Sequence, residues 1–386
     1  MEGIRIALTA ATNVGLVRQN NEDNFVVCPN LLGNDWLIPQ TDEPTPLGER
    51  GCLLVVADGM GGANAGEVAS AIAVETVQAS FAPEALDELF AGDTQPSEGA
   101  VRDFLTSIVV QANANILAHA KVYPETEGMG TTIVICWILS GTAYIAWCGD
   151  SRCYVYNPRS GLTRLSRDHS LVQELVEQGQ LTEDDAFDHP YSNIITRCLG
   201  DNQQRAKPDF RPYTCHDGDV FLLCSDGLCG LCRDEEIVGV ISAVSSPTPP
   251  HDDTLPGAPP ETKSEEWSII ALRDSLIEAA LAADGHDNVT VALCRINGSE
   301  DDQTADIRST VNVFRGKKAR NRGLLAALRT LWTGNRRDDA IKEEPPLEAP
   351  EAPQEPSLAD DNTPTEGEQP TGDPAQDEAV NPTTPQ

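Results

Sequence analysis

Four short segments of the chain place carboxylate side chains beside glycine or asparagine, and each lies where an apolar run meets turn residues. The segments are Asn21-Glu22-Asp23, Asp58-Gly59-Met60-Gly61-Gly62, Ser225-Asp226-Gly227 and Asp287-Asn288. Apolar, β-prone runs at 52–57 and 220–224 directly precede two of them, so these carboxylates are expected at the ends of buried strands. Oxygen ligands that converge from several strand ends suit Mg²⁺ or Mn²⁺, which keep several waters and leave positions open for a phosphate. Together, the four segments predict a two-metal site that cleaves phosphate esters.

Seven motifs, taken in order, resemble those of the metal-dependent protein serine/threonine phosphatases of type 2C, the PPM family, in its compact bacterial form. They occupy residues 15–23, 58–62, 128–132, 148–152, 167–172, 219–228 and 285–290. Each alone is a weak signal, because Asp-Gly is mostly a turn signal. Seven in the family's order over the first 298 residues identify the family. The resemblance implies an enzyme, a metal-dependent protein serine/threonine phosphatase.

The first 298 residues alternate strand-like and helical patterns, which favours an α+β domain. The strand-like runs are 4–10, 53–57, 132–139, 143–147, 220–224 and 289–296, and the helical runs include 66–81, 99–120 and 275–283. The resemblance makes this specific: two packed antiparallel β-sheets flanked by helices on both outer faces, a four-layer αββα sandwich. We expect a catalytic domain over 1–298, in which the Pro-, Asp- and Thr-rich stretch 245–266 is an inserted loop.

The chain after residue 298 changes composition twice. Residues 299–337 are predicted to be a basic linker, because 315–337 holds eight Lys and Arg and no acidic residue. Within it, 323–332 could form a short amphipathic helix that contacts an anionic membrane surface, an acidic partner or the acidic core of its own chain, or simply packs as a linker helix. Residues 338–386 are acidic and Pro-rich with almost no large apolar side chains, which predicts a disordered tail.

Composition indicates a soluble cytoplasmic protein with an acidic surface. The formal net charge is -34, the first residues lack the pattern of a signal peptide, and no apolar stretch approaches the length of a membrane span. Residues 1–298 contain 17 Lys and Arg against 43 Asp and Glu, so nucleic acid would be repelled. Several of the eleven cysteines lie inside apolar runs, where free thiols act as small hydrophobes, and a single Cys229-x-x-Cys232 is a weak zinc or redox signal.

The resemblance also implies how two Mn²⁺ or Mg²⁺ ions are held. Asp58 is expected to bridge the ions, and the carbonyl of Gly59 to complete one of the two sites. Asp226 and Asp287 are expected to hold the other ion. A water that bridges two such ions is acidified and directed at phosphorus. This water is the nucleophile that phosphate ester hydrolysis requires.

Three further acidic residues belong to the expected metal site. Asp23, with Glu22 beside it, is expected to bind metal directly or through an ordered water. Asp150 matches the position that bacterial members use for a third, weaker metal, although an isolated Gly-Asp-Ser-Arg would be only a hairpin turn.

Arg18 and His189 are the candidates for the remaining roles at phosphorus. Arg18 matches the arginine that clasps the substrate phosphate, where a planar fork donates two charge-assisted bonds that lysine cannot copy. Met60 stands where many eukaryotic members carry a histidine proposed as general acid. His189 is our candidate for that proton donor, with a metal-bound water or a purely structural histidine in a Pro turn as alternatives. Residues 168–170 are interpreted as structural support, with Ser170 capping a helix.

Three classes of function were compared. The site and the resemblance predict hydrolysis of phosphoserine and phosphothreonine in proteins, opposing a bacterial Ser/Thr kinase. A metal-dependent phosphatase of small phosphoesters or nucleotides is the alternative that the site alone leaves open. A binding module that has lost activity is disfavoured, because every expected ligand is present in the chain.

Overall fold

The computed structural model describes residues 3–36, 38–39, 41–61, 65–90, 95–201, 206–245 and 267–298. The strands are β1 (Arg5–Asn13), β2 (Asn24–Cys28), β3 (Thr45–Pro46), β4 (Cys52–Ala57), β5 (Gly59–Met60), β6 (Gly130–Thr131), β7 (Ile133–Leu139), β8 (Thr142–Cys148), β9 (Arg152–Asn157), β10 (Gly161–Arg164), β11 (Asp209–Thr214), β12 (Val220–Cys224) and β13 (Val289–Asn297). The α-helices are α1 (Gly66–Ser80), α2 (Pro83–Leu89), α3 (Glu98–Val122), α4 (Leu171–Glu177), α5 (Glu183–Phe187), α6 (Asp226–Cys229), α7 (Asp234–Ser245) and α8 (Ile269–Ala282). Short 3₁₀ turns occur at Leu31–Gly33 and Pro124–Thr126.

Two antiparallel sheets contain most of these strands. One has six strands in the order β10-β9-β12-β13-β1-β3, and the other has five in the order β11-β8-β7-β4-β2. β5 and β6 form a separate two-stranded ribbon. Since neighbouring strands run in opposite directions, the carboxyl end of one strand lies beside the amino end of the next, as where Asn24 pairs with Ala57.

The two sheets pack face to face on a shared apolar core, because side chains alternate between the two faces of each strand. In β4, Leu54 and Val56 point into this core, whereas Leu53 and Val55 point to the outer face, and all four are fully buried. The eleven cysteines are free thiols. Five of them pack in the core between the sheets, namely Cys52, Cys136, Cys153, Cys215 and Cys294.

Helices cover both outer faces. The outer face of the five-stranded sheet packs against α1 and α3, and that of the six-stranded sheet against α7 and α8. The four-layer αββα prediction is therefore confirmed. None of the helices in the described part of the chain is long and apolar enough to cross a membrane.

Element boundaries follow the sequence patterns to within a few residues, with one larger difference. The strand predicted over 220–224 matches β12, and the helix predicted over 66–81 matches α1. The helix predicted over 275–283 begins earlier, at Ile269, because the Ser268 side chain accepts a hydrogen bond from Ala271 N and caps it. Apart from Ser245, the insert at 245–266 and the segments 299–337 and 338–386 lie outside the described residues, so those interpretations stay predictions.

Candidate active site

Five aspartates from five different strand ends meet at one end of the sandwich. Asp23 directly precedes β2, Asp58 follows β4, and Asp150 lies between β8 and β9. Asp226 opens α6 just after β12, and Asp287 lies two residues before β13. Antiparallel pairing brings the strand ends of each sheet together, and the hydrogen bonds of Asp23 to Ser225 and Thr290 join the two sheets at this end.

The turn after β4 is fixed from both sides. Asp58 N donates to Thr132 Oγ1 at 3.0 Å, and Gly59 N donates to the Glu22 carbonyl at 3.2 Å. A Cβ on Gly59 would lie only 2.3 Å from the Gly66 carbonyl oxygen, so a larger residue does not fit. The Asp58 carboxylate and the Gly59 backbone are therefore held in one arrangement.

Asp23 joins three segments of the site. Its Oδ2 accepts hydrogen bonds from Ser225 Oγ and Thr290 Oγ1, both at 2.7 Å, and Thr290 N donates to Ser225 Oγ at 2.9 Å. Burial raises the pKa of the Asp23 carboxyl to about 7, although the two hydroxyl donors act in the opposite direction. The charges of Asp226 and Asp287 raise it further. A partner that neutralises this cluster would therefore stabilise it.

Asn288 is a site residue to which the sequence pattern assigned no role. Its Nδ2 donates to the carbonyls of Val14 and Asn20 at 2.9 and 3.0 Å, and its Oδ1 accepts from Glu22 N at 2.8 Å. One buried amide thereby fixes the loop that carries Arg18 against the amino end of β13. The only signal in the sequence was an asparagine beside Asp287 at a strand start, which is also an ordinary turn feature.

The carboxylates are mutually repulsive as they stand. Burial first, and the charges of neighbouring carboxylates second, raise the pKa values of Asp58, Asp150 and Asp226. The charge of Asp226 is the first of the neighbouring carboxylates that raise the pKa of Asp58. Asp150 Oδ1 is buried without a hydrogen-bond partner. Burying such oxygens is costly unless cations neutralise them, so this all-oxygen donor set fits Mg²⁺ or Mn²⁺.

In the described part of the chain, no three His, Cys, Asp or Glu side chains come close enough to enclose a metal ion by themselves. An ion held here would take few carboxylate oxygens and complete its shell with water and a backbone carbonyl such as that of Gly59. Mg²⁺ characteristically binds in this way, through one or two carboxylates with several waters retained.

Arg18 extends from its loop to the same cluster. Its Nη2 donates to Asp287 Oδ2 at 2.9 Å, and 51% of its side chain remains exposed. The hydrogen bond to Asp287 raises the pKa of Arg18, so the guanidinium is charged at any working pH. One contact leaves most of its five N–H donors for a ligand in the space that it lines.

Arg18, Asp58, Asp150, Asp226 and Asp287 line one wall of a cleft with a volume of about 1130 Å³, whereas Asp23 is buried and does not line it. The opposite wall is the flap, which we define as residues 166–198, and it carries α4 and α5. Of the described residues that line the cleft, ten are Asp or Glu and four are Arg. A dianionic phosphate would be repelled by this excess of acids unless bound cations reversed the local charge.

The flap is tied down at its base and at its tip. At the base, Leu171 N donates to the Ile194 carbonyl at 2.9 Å, and Ser170 Oγ accepts from Gln173 N and caps α4, as predicted. At the tip, the Arg233 guanidinium donates to Asp188 Oδ2 at 2.7 Å and lies 4.2 Å from the centre of the Phe187 ring. Sequence reasoning missed Arg233, because its partners lie 45 residues or more away.

The structure does not bring His189 to the carboxylates. His189 is absent from the residues that line the cleft, its Nδ1 accepts from Tyr191 N at 3.2 Å, and its ring packs against the Tyr191 ring. These are the contacts of the structural alternative. His286 does line the cleft, beside Asp287, with its Nδ1 3.0 Å from Asp284 Oδ2. The catalytic role of His189 stays a prediction that this arrangement does not support.

Comparisons with known proteins agree on one family. The family model described as Protein phosphatase 2C matches residues 45–251. The serine/threonine phosphatase stp of Listeria welshimeri is 30% identical over 286 residues, which cover 74% of this chain and 94% of that protein. The protein phosphatase PhpP of Streptococcus pneumoniae is 30% identical over 292 residues, covering 75% and 97%.

Solved structures give the same result. The catalytic domain of the serine threonine protein phosphatase PstP in complex with two manganese ions aligns with a TM-score of 0.54 at 28% identity. The alignment covers 76% of this chain and all of that domain.

Proposed function

Because this chain belongs to the protein phosphatase 2C family and is a protein serine/threonine phosphatase that uses divalent metal, we propose that it hydrolyses phosphoserine and phosphothreonine at a two-metal site with Arg18 as the phosphate clasp. The observation that carries the proposal is that Arg18 and four aspartates from four strand ends line a single cleft, namely Asp58, Asp150, Asp226 and Asp287. Asp23 is bonded to Ser225, the neighbour of Asp226.

The metal ligands we propose belong to the aspartate edge of the sandwich. Asp58 would be shared by two Mn²⁺ or Mg²⁺ ions, with the Gly59 carbonyl on one, and Asp226 and Asp287 on the other. When bound, the ions would acidify a water and neutralise the phosphate. The raised pKa values of Asp58 and Asp226 support this assignment, since both reflect oxygens that lack a counter-charge.

Three further carboxylates have supporting roles in the proposal. Asp23 would bind metal through the oxygen that the Ser225 and Thr290 hydroxyls leave unused, directly or through water. Glu22 would act in the same way, since burial raises its pKa as well. Asp150 would hold a third, weaker ion, which is supported by its buried oxygen without a partner.

Arg18 would bind and orient the phosphoryl group. Its planar fork matches two phosphoryl oxygens, and such charge-assisted bonds are stronger than neutral ones. The bond to Asp287 would hold the guanidinium in the cleft before substrate arrives. For the proton that the leaving alkoxide needs, the sequence suggests His189, whereas its position outside the cleft favours water in the cleft.

The substrates of a protein phosphatase are phosphoproteins, and the partner we propose is a bacterial Ser/Thr kinase whose products this enzyme dephosphorylates. A phosphatase of small phosphoesters or nucleotides is the second candidate, since a metal site of this kind can accept either. Nucleic acid is disfavoured by the excess of acidic residues over basic ones in residues 1–298.

Phosphate release tests the proposal directly. Phosphoserine, phosphothreonine and phosphotyrosine peptides would be compared with nucleotides and small phosphoesters, with Mn²⁺, with Mg²⁺ and with EDTA. We expect release from phosphoserine and phosphothreonine peptides only when divalent metal is present. Release in EDTA would refute the metal mechanism, and faster turnover of nucleotides than of every peptide would favour the second candidate.

The basic segment 315–337 is proposed as a contact site for an anionic membrane or an acidic surface. Its support is the charge pattern alone, eight basic residues without an acidic one in an otherwise acidic chain. A chain truncated after Gly298 should keep metal-dependent turnover and lose salt-sensitive binding to anionic liposomes, since exposed charges are screened over about 8 Å at physiological ionic strength. Equal liposome binding by both chains would leave the segment as a linker. An inactive truncated chain would contradict the domain boundary.

A further inference from the structure

His169 is the most buried titratable group at the base of the flap, with 2% of its side chain exposed. It lies outside the metal ligands assigned above and does not line the cleft. Its ring packs against Trp147 with the two planes inclined by 18°. A polar ring in such a position must satisfy both nitrogens, so its partners identify what it holds.

The hydrogen bonds of the ring fix its tautomer. Gly149 N lies 3.1 Å from Nδ1, and because a backbone N–H can only donate, Nδ1 must accept. Nε2 therefore carries the proton; it lies 3.2 Å from both Asp209 Oδ2 and Arg197 Nη1, and of these two only the carboxylate can accept it. Arg197 Nη1 donates to the other oxygen of Asp209 at 3.1 Å and holds that carboxylate in place. Burial lowers the pKa of His169, which favours this neutral form.

His169 thereby grips the turn that carries Asp150, which we define as residues 149–151. Besides the side-chain bond, His169 N donates to the Gly149 carbonyl at 2.9 Å, so one residue binds both polar groups of Gly149. Gly149 has a φ of +124°, and a Cβ there would lie 2.5 Å from the Cβ of Thr132. The turn is held between Thr132 on one side and His169 on the other.

The residues that hold the Asp150 turn are also bonded to Asp58 and to the flap. Thr132 Oγ1 accepts from Asp58 N at 3.0 Å and lies 2.6 Å from Ser151 Oγ. On the flap side, Thr196 N donates to the His169 carbonyl at 2.7 Å, which pairs the two ends of the flap at this residue. His169 is thus hydrogen-bonded to the Asp150 turn through its ring and to the flap through its backbone.

We propose that His169 is a positioning residue that sets the Asp150 turn against the base of the flap, so that the Asp150 carboxylate is presented to a divalent cation only while the flap base is paired. The inference rests on the proposed function, specifically on Asp150 as the ligand of a weaker ion. Orienting groups behind metal ligands change metal affinity by about 10- to 100-fold when removed.

Two substitutions separate the two nitrogens of the ring. Asparagine places an amide oxygen near the position of Nδ1, so His169→Asn keeps an acceptor for Gly149 N and loses the bond to Asp209. Glutamine reaches the position of Nε2, so His169→Gln keeps a donor for Asp209 and loses the acceptor. We expect His169→Gln to weaken the weaker class of Mn²⁺ sites by about 10- to 100-fold, and His169→Asn to stay near the wild-type affinity.

Mn²⁺ binding to the full chain is measured through the EPR signal of free Mn²⁺. The Mn²⁺ concentration that gives half-maximal peptide turnover is measured as well. His216→Gln is the matched control, because His216 also lies beside an aspartate, Asp219, but outside the cleft. Equal affinities in His169→Gln, His169→Asn and the wild type would overturn the proposal. So would equal losses in both variants, since these would indicate packing and not the bond to Gly149.

A double-mutant cycle distinguishes positioning from a general effect on the fold. If His169 acts through Asp150, the effect of His169→Gln on Mn²⁺ binding should vanish in an Asp150→Asn background, because coupled residues are not additive. An undiminished effect in that background would overturn the proposal. Should His169→Gln fail to fold, Asp209→Ala decides, because it removes the bond at Nε2 while Nδ1 can still accept from Gly149 N. Mn²⁺ binding near the wild-type affinity, as in His169→Asn, would then support the proposal, and weaker binding would overturn it.

Failure here is distinguishable from failure of the proposed function. If the wild-type protein releases phosphate without divalent metal, the proposed metal-dependent function is refuted. If wild-type turnover needs divalent metal but the His169 variants bind Mn²⁺ as the wild type does, only the positioning role of His169 is refuted.

Discussion

The two walls of the cleft are held in different ways. Asp23 and Asn288 support the carboxylate wall: both are buried and bonded to hydroxyls and backbone groups of distant segments. The flap carries helices of seven and five residues, and its tip is tied by Arg233 to Asp184 and Asp188, whose side chains are 92% and 72% exposed.

The two walls therefore differ in the free energy that is needed to move them. Exposed ion pairs contribute about 0 to 1 kcal/mol each, whereas leaving a buried polar group without its partner costs about 1 to 3 kcal/mol. The carboxylate wall should therefore keep one geometry, which the transition state requires, while the tip of the flap opens at small cost to admit a phosphoprotein. His169 lies where the two walls meet.

The largest expected effect is on the rigid wall. Asp226→Asn should remove nearly all turnover, a loss of at least about 1000-fold, since metal ions supply several kcal/mol of charge stabilisation. The fold should persist, because Asp226 is not a core side chain. Burial and the charge of Asp287 raise the pKa of its carboxyl group, so its negative charge does not stabilise the fold without metal. Phosphopeptide turnover at saturating Mn²⁺, with circular dichroism as the fold check, tests this. Asp274→Asn is the control, an exposed aspartate on α8, and retained turnover in Asp226→Asn would contradict the assignment.

Arg18→Ala should come next. Losing hydrogen bonds to a charged group costs about 1.5 to 3 kcal/mol, or roughly 10- to 100-fold in kcat/KM, while Mn²⁺ binding should remain near normal. Lysine should restore only part of the loss. Arg102→Ala is a matched control, since Arg102 is equally exposed at 51% and also bonded to an acid. Wild-type turnover together with wild-type inhibition by free phosphate would show that Arg18 is not the clasp.

Stability should depend on pH and metal in the direction that the buried carboxylates of the site dictate. Without metal, folding raises the pKa of Asp23 from 3.8 to about 7, so the native state binds more protons than the unfolded state between these values. The melting temperature in EDTA should therefore fall as pH rises from about 4 to 7. The lowered pKa values of His169 and Asp209 oppose this trend, but the pKa values of Asp58, Asp150 and Asp226 are raised in the same sense as that of Asp23.

Adding Mn²⁺ should raise the melting temperature most near pH 7, because cations then replace the missing protons. Asp23→Asn should flatten the pH dependence in EDTA. Differential scanning calorimetry of both proteins with and without Mn²⁺ measures this. A melting temperature in EDTA that rises steadily over the same pH range would be inconsistent with a carboxylate wall in need of cations.

Substitutions at the tip of the flap should change turnover only slightly. Arg233→Ala should change kcat/KM by less than about fivefold, the scale of exposed ion pairs, and speed amide exchange in α5 while leaving β13 protected. Arg233→Lys should retain the charge contacts and lose the stacking on Phe187. Hydrogen exchange with mass spectrometry resolves the two elements. A large loss of turnover would mean that Arg233 acts on the substrate and not only on the flap.

The smallest effect is expected at His189. Since it does not line the cleft, His189→Ala should stay within about threefold of wild-type turnover, as a surface substitution does. Arg18→Ala in the same assay sets the scale of a residue inside the cleft. A loss comparable to that of Arg18→Ala would restore His189 as the proton donor.

The sequence by itself predicted strands such as β4 and β12, helices such as α1 and α3, and the use of a divalent metal. Apolar alternation in runs such as 52–57 and 220–224 fixes which residues face a core, and Asp beside Gly or Asn marks strand ends. These are local signals, so they can be read within a few residues. The family's order of motifs then supplied the antiparallel sandwich, which the structure confirms.

Only the tertiary structure decided which loop residues meet. Asn288 bonds to Val14 across 274 positions, His169 meets Gly149 across 20, and His189 lies outside the cleft that its motif suggested. Such contacts depend on how loops from both sheets lie over a common edge. No periodicity encodes that, because loop side chains are placed by hydrogen bonds to distant backbone groups and not by a repeating hydrophobic pattern.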